Sequence, residues 1–381
     1  MLLQRVGLLQ INNHLRHYAK KSRAQFKPVM AVSKRLVHQE ILHYVNPFAR
    51  INVKSDVFLR IQPADVHQYT SGDVFIAQLR GGQVKNSNVT LDVKITDDDK
   101  VVDVVVKQIT EQPSQFECDL QIPVRSDVSV EAKGSVRVEG IQSELLQVKA
   151  DGGIVTKNVK ATNISLYSEN GNINCQGTIL GKITEIETRN GNINMDKLQG
   201  DNLNCTTETG SIITDCCYVE NSNFHTQTGR LDLKNVHKTS QVHVYQSGEL
   251  NMTGFHGNLQ LVTKGGSLNV QLSELVGHNK IDAQNLKDEA VIHISQAIEQ
   301  DLHIEVSASE VKLEAELEHV AHALNETKNK LLLGSSNTDR LQVCSTGGKG
   351  VRLGKQSWSD MMRQKLQAIE TKAPSLKAET H

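Results

Sequence analysis

Asp196 and Asp215 are the acidic residues whose spacing could do chemistry, each standing five residues after a glycine, Gly191 and Gly210. If those glycines mark one corner of successive coils in a stacked β structure, the two carboxylates face outward roughly 5 Å apart, the separation of neighbouring strands. Such a pair can share a proton, hold a cation, or act as the acids of a polysaccharide lyase or hydrolase. No Arg, Lys or third acid is expected in the same column of a neighbouring coil, so the competing reading is two solvated surface acids. Cys216 and Cys217 adjoin the pair. Successive residues of a strand point to opposite faces, so one thiol is expected inside and one outside.

Other candidate motifs are weaker. The fifteen histidines show no HxH or HExxH spacing, and they read as surface or edge residues without ligand geometry. Thr346-Gly347-Gly348-Lys349-Gly350 lacks the spacing of a phosphate loop and reads as a tight turn. Asp97-Asp98-Asp99 lacks the alternating ligands of a calcium loop and reads as a hairpin tip. Five sequons, at Asn88, Asn163, Asn204, Asn251 and Asn325, would matter only in a secreted chain. These readings leave no cofactor, no metal and no catalytic residue assigned.

The elements that would position the aspartates are set by a repeat. Glycines at 134, 153, 171, 191, 210, 229, 248 and 266 are separated by 19, 18, 20, 19, 19, 19 and 18 residues. Two residues after them come Val136, Val155, Ile173, Ile193, Ile212, Leu231, Leu250 and Leu268, flanked on both sides by mostly polar residues. Polar, apolar, polar is the period-two signature of a strand with one buried face. A second strand-like stretch precedes each glycine, such as Asn163–Ser168 and Leu259–Thr263. Two short strands and two turns use up one period, and Asn170-Gly171 and Asn190-Gly191 read as turns through their tolerance of positive φ. One coil cannot bury its apolar face, but stacking does so and pairs the backbone in parallel ladders. The expected fold is all-β, a single-stranded parallel β-helix, right-handed by the general rule for parallel crossovers.

Composition agrees. Aromatic residues make up 4% of the 381 residues, and the chain is rich in small and β-branched types that suit stacked coils. Forty-two basic residues against 43 acidic ones give a net charge of -1, which provides no field for nucleic acid or anionic lipid. Six cysteines without a CxxC pair read as buried thiols in a reducing compartment. No apolar stretch approaches the twenty or so residues of a membrane span.

The first thirty-five residues differ from the rest. They carry eight basic residues, and the first acid of the chain is Glu40. Leu8, Ile11, Leu15 and Tyr18 fall at helical spacing beside basic groups, the pattern of a mitochondrial transit peptide. Arg16-His17-Tyr18-Ala19 resembles a matrix processing site with cleavage after Tyr18. The matrix is the expected address.

Elements such as Glu187-Thr188-Arg189-Asn190-Gly191-Asn192-Ile193 and Glu208-Thr209-Gly210-Ser211-Ile212 resemble the putative-adhesin family, relatives of the auto-transporter adhesin head domain. The leader and the C-terminal extension make the chain similar to an animal branch of that family with a mitochondrial-type leader. The resemblance spans about residues 50 to 350. It implies a β-helical interaction surface and no enzyme chemistry, and it transfers no catalytic or ligand residue.

The expected organisation is a transit peptide (1–18), a basic flanking segment (19–47), an N-terminal β cap domain (48–125), the β-helix repeats (126–320), irregular strands (321–356), a helix (357–371) and a flexible tail (372–381). The expected function is a non-enzymatic scaffold for a protein partner. The alternatives are a carbohydrate-active or metal-dependent enzyme using Asp196 and Asp215, and a secreted adhesin.

Overall fold

The computed structural model describes residues 36–81, 89–109, 116–295, 302–320, 322–334 and 339–356. The transit peptide, the helix expected at 357–371, the tail and Asn88 lie outside the described residues. The described residues from Val37 onward form one compact unit. Its first strands are β1 (Leu36–Tyr44), β2 (Arg50–Ser55), β3 (Phe58–Pro63), β4 (Val74–Gly81), β5 (Val89–Thr96), β6 (Val101–Gln108), β7 (Glu117–Ile122), β8 (Asp127–Ala132) and β9 (Val136–Glu139). The regular repeats follow in β10 (Gln142–Ala150), β11 (Ile154–Ser168), β12 (Ile173–Thr188), β13 (Ile193–Thr207), β14 (Ile212–Lys234), β15 (His237–Leu275) and β16 (His278–Leu286). The last are β17 (Ala290–Ile294), β18 (Leu302–Ser307), β19 (Val311–Leu313), β20 (His322–Leu324), β21 (Lys330–Leu333), β22 (Asp339–Thr346) and β23 (Val351–Lys355). A short 3-10 turn, Ala315–Leu317, follows β19.

The fold is an all-β solenoid. Ile173, Ile193 and Ile212 stand opposite one another in three successive parallel coils, as do Ile186, Cys205 and Phe224. Every one of them is buried, and burying an aliphatic side chain of this size contributes about 1.5–3 kcal/mol. The coils of β11 to β14 carry three paired runs rather than the two expected: in the ladder between β12 and β13 they are Ile173–Cys175, Thr178–Gly181 and Ile183–Thr188, with a register shift after Cys175. The short middle run fills the space assigned from sequence to a turn.

One register differs from expectation. Ile154, not Val155, stands opposite both Val136 and Ile173, and Val155 is only half-buried. Gly152 therefore takes the corner assigned to Gly153, and its carbonyl accepts the Ser168 hydroxyl at 2.9 Å. A one-residue slip turns a strand's inner set outward, so the apolar residue nearest the interior settled the choice.

The two ends of the stack are not in chain order. β2 pairs in parallel with both β6 and β8, and β3 with both β7 and β9. The coil of residues 50–63 thus lies between the coil of 101–122 and that of 127–139. Residues 48–125 supply two coils of the stack itself, and antiparallel β4 and β5 flank them through β7 and β6. The other end repeats the arrangement: β22 pairs with β16 and β18, and β23 with β17 and β19. β20 and β21 form an antiparallel hairpin laid on β18.

Candidate functional surface

Asp196 and Asp215 occupy the same place on consecutive coils, flanked by the ladder pairs Met195–Thr214 and Lys197–Cys216. Their carboxylates are used in opposite directions. Asp196 Oδ2 accepts the backbone N–H of Gly177 on the preceding coil at 2.8 Å, where Gly177 turns with φ +70°. Asp215 Oδ1 meets Lys234 Nζ of the following coil at 2.7 Å. Lys234 stands five residues after Gly229, so the column does contain a companion cation, contrary to the expectation that no Lys accompanied the pair. The arrangement is a chain of local caps: one carboxylate closes a turn, and the other makes an exposed ion pair of the kind that contributes little to stability.

The repeat glycines serve a purpose other than the one read from sequence. Of the eight, only Gly266 has a positive φ, so Asn170-Gly171 and Asn190-Gly191 are turns without a left-handed residue. Close approach is the cause. A Cβ on Gly191, Gly210 or Gly229 would lie 2.0, 1.7 or 2.0 Å from the carbonyl oxygen of the preceding glycine in the column. Gly134 and Gly153 are less crowded, with nearest atoms at 2.9 and 3.2 Å, while Gly171, Gly248 and Gly266 meet backbone at 2.3, 2.2 and 1.8 Å.

A residue three positions before the corner completes it. Ser168, Thr188 and Thr207 donate their hydroxyls to the carbonyls of Gly152, Gly171 and Gly191 at 2.9, 3.0 and 3.1 Å. Ser168 and Thr207 also accept the N–H of their own Gly171 and Gly210. The [ST]-x-x-G spacing was available in the sequence at four successive repeats, ending with Thr226 and Gly229, and was not used.

Side chains of like type stack along the outside. Asn190 donates to Asn170 at 3.0 Å, and Asn194 to Asn174 at 2.8 Å. Four of the histidines, read as surface or edge residues, form two ladders. Tyr218, His237 and His256 stack with centroids 4.2 and 4.8 Å apart, and His256 Nδ1 lies 3.6 Å from Glu274. His225 stacks on His243 at 5.0 Å, and both stack on Tyr245. Burial pushes the His225, His237 and His243 imidazoles below their ordinary value, with the neighbouring imidazole adding to the effect at His225 and His237. The positions 218, 237 and 256 repeat at 19 residues, a signal hidden from a search for local ligand spacing.

Cys217 is buried and Cys216 half-exposed, and all six thiols are free. Burial pushes Cys118, Cys175 and Cys217 up to about 12, so these are poor nucleophiles. Asp97, Asp98 and Asp99 form the turn of the hairpin between β5 and β6, all three with positive φ. Thr346 to Gly350 joins β22 to β23. A groove of about 500 Å³ lies over Lys54, Asp56, Lys107, Glu131, Lys133 and Lys149, where Lys54 pairs with Glu131 and Lys133 with Asp56. Among the described residues no group of three His, Cys, Asp or Glu side chains is placed to hold a metal, and no helix is long and apolar enough to cross a membrane.

Parallel coils with one-sided apolar strands define the class as a β-solenoid. Residues 181–348 match the Toastrack DUF4097 family. A crystal structure of a putative adhesin from Parabacteroides distasonis is similar over 83% of this chain and 96% of its own, at 11% identity and a TM-score of 0.38. One from Parabacteroides merdae is similar over 82% and 95%, at 10% identity and 0.36. A putative lipid binding protein from P. distasonis is similar over 82% of this chain and 96% of its own, at 10% identity and 0.33.

Proposed function

We propose that the chain is a non-enzymatic β-solenoid scaffold that presents its outer columns to a protein partner in the mitochondrial matrix, as an animal member of an adhesin-like family. The observation that carries the reading is the repetition of like polar side chains on consecutive coils, such as Asn170 with Asn190 and Asn174 with Asn194. They offer one hydrogen-bonding pattern again and again at the spacing of the strands, a surface suited to an extended partner rather than to a small substrate. The engagement of Asp196 and Asp215 with opposite neighbours supports the same side of the choice. The address rests on the eight basic residues that precede the first acid.

The test is to express the full chain with a C-terminal tag in animal cells, determine its compartment and mature N-terminus, and capture partners from that compartment. A matrix protein beginning at or near Ala19 that retains its partner when Asp196→Asn and Asp215→Asn are combined is the expected result. A secreted chain with glycans at Asn163 or Asn204 would sink the address and favour an extracellular adhesin. An activity on polysaccharide that the double substitution removes would make the protein an enzyme.

A further inference from the structure

β18 and β19 join the ladders of the stack through the last coil, while Lys312 and Glu314 reach past it to Glu289 and His293 at 3.1 and 3.9 Å. β18 pairs with β21 and β22, and β19 pairs with β23. On its other side that last coil pairs with β16 and β17. The residues between which it lies are therefore synthesised before it, and the ladder edges of β16 and β17 stay open until it arrives. An open parallel edge beside an apolar interior is a receptor for an extended segment.

We propose that the open ladder edges of β16 and β17 are a strand-acceptor site for one extended polypeptide, which the chain occupies with its own residues 339–356 and covers with the coil of residues 302–313. The ligand's chemistry is legible in the occupant. Leu341, Val343, Val351 and Leu353 point inward and are buried, which requires apolar residues at alternate positions in two strands. Between them Gly350, with φ +113°, lies so close to Glu310 that a Cβ would sit 2.4 Å from the Glu310 carbonyl. The rim supplies charge: Arg352 pairs with Glu289 at 2.7 Å and Lys349 with Asp288 at 3.2 Å. Asp339 anchors the entry by accepting the Gly277 N–H at 2.6 Å. Recognition therefore needs two short apolar-alternating strands joined by a glycine turn, with basic residues beside the second strand.

The test keeps the full chain. A site-specific protease sequence is placed between Gly334 and Asp339, the protein is folded and then cut, and a fluorescent synthetic peptide of residues 339–356 is added in excess. The cut protein is expected to take up the peptide saturably while releasing its own fragment. The same peptide carrying Leu341→Asp and Val343→Asp should be taken up at least about ten-fold less, since two charges would face the interior. Cys344 stands opposite Asp282 of β16, so Asp282→Cys oxidised onto it should block uptake until reduced. A folded cut protein that takes up no peptide, or takes up both peptides alike, overturns the proposal. Should cutting unfold the protein, hydrogen exchange on the intact chain decides. Residues 302–333 and 339–356 should then open as one unit ahead of β13 and β14, and protection equal to that of β13 and β14 would overturn the slot.

Discussion

The corner of each coil depends on single atoms. In Gly210→Ala the new methyl carbon would sit 1.7 Å from the Gly191 carbonyl oxygen, and backbone on both sides leaves little room to yield. Overpacking typically costs about 1–3 kcal/mol, and the denaturation midpoint should fall accordingly. Gly72→Ala is the control, since no atom lies within 4 Å of its Cβ and only its φ of +70° opposes the change. The hydroxyls can be compared in the same way. Thr207→Val leaves the Gly191 carbonyl and the Gly210 N–H without their partner, a loss of about 1–3 kcal/mol for buried groups. Thr214 is equally buried, but its hydroxyl makes no hydrogen bond. Thr214→Val should leave the midpoint unchanged or raise it, and equal losses at the two sites would show that the hydroxyl bridge is not what holds the corner.

Among the elements, register and stacking matter most. Ile154 is fully buried and Val155 half-exposed, so Ile154→Asp should prevent folding while Val155→Asp gives a folded protein in circular dichroism. The reverse outcome would restore the register read from glycine spacing alone. The histidine ladders give β14 and β15 a pH dependence. The His225, His237 and His243 imidazoles hold protons more weakly in the folded state than in the unfolded chain, so acid favours the unfolded chain. Stability is full above the ordinary value of 6.5, falls as pH drops through it toward the depressed values, and levels off below them. A denaturation midpoint lower at pH 5.5 than at pH 8 is expected, and His243→Tyr should reduce that difference while keeping the stack.

For the whole molecule the end coils count most. In a linear solenoid, loss of a terminal repeat removes one unit and leaves its neighbours paired. Here the first coil lies inside the stack, where Ile51, Val53, Leu59 and Ile61 are buried between neighbours. A chain lacking residues 36–64 should lose protection from proteolysis as far as β8 and β9, and cleavage confined to the new terminus would argue that the coils are independent. The interlock also fits the need for covered sheet edges, because antiparallel β5 pairs with outlying β6 at one end and the hairpin of β20 and β21 lies on β18 at the other.

Residue types and their period were enough to determine the solenoid and all but one of its inward positions and corners, since alternation and a repeat near nineteen residues are properties of the chain alone. The same pattern placed the two aspartates on consecutive coils. It was silent on how they are used, because hydrogen bonds such as that from Gly177 to Asp196 form between coils whose mutual register is set only by packing. Register also decided between Gly152 and Gly153, and it gathered Tyr218, His237 and His256 into one stack. The order of the end coils belongs to the tertiary structure alone: any apolar-alternating strand fits any neighbouring ladder, and local pattern carries no mark of which coil lies beside which.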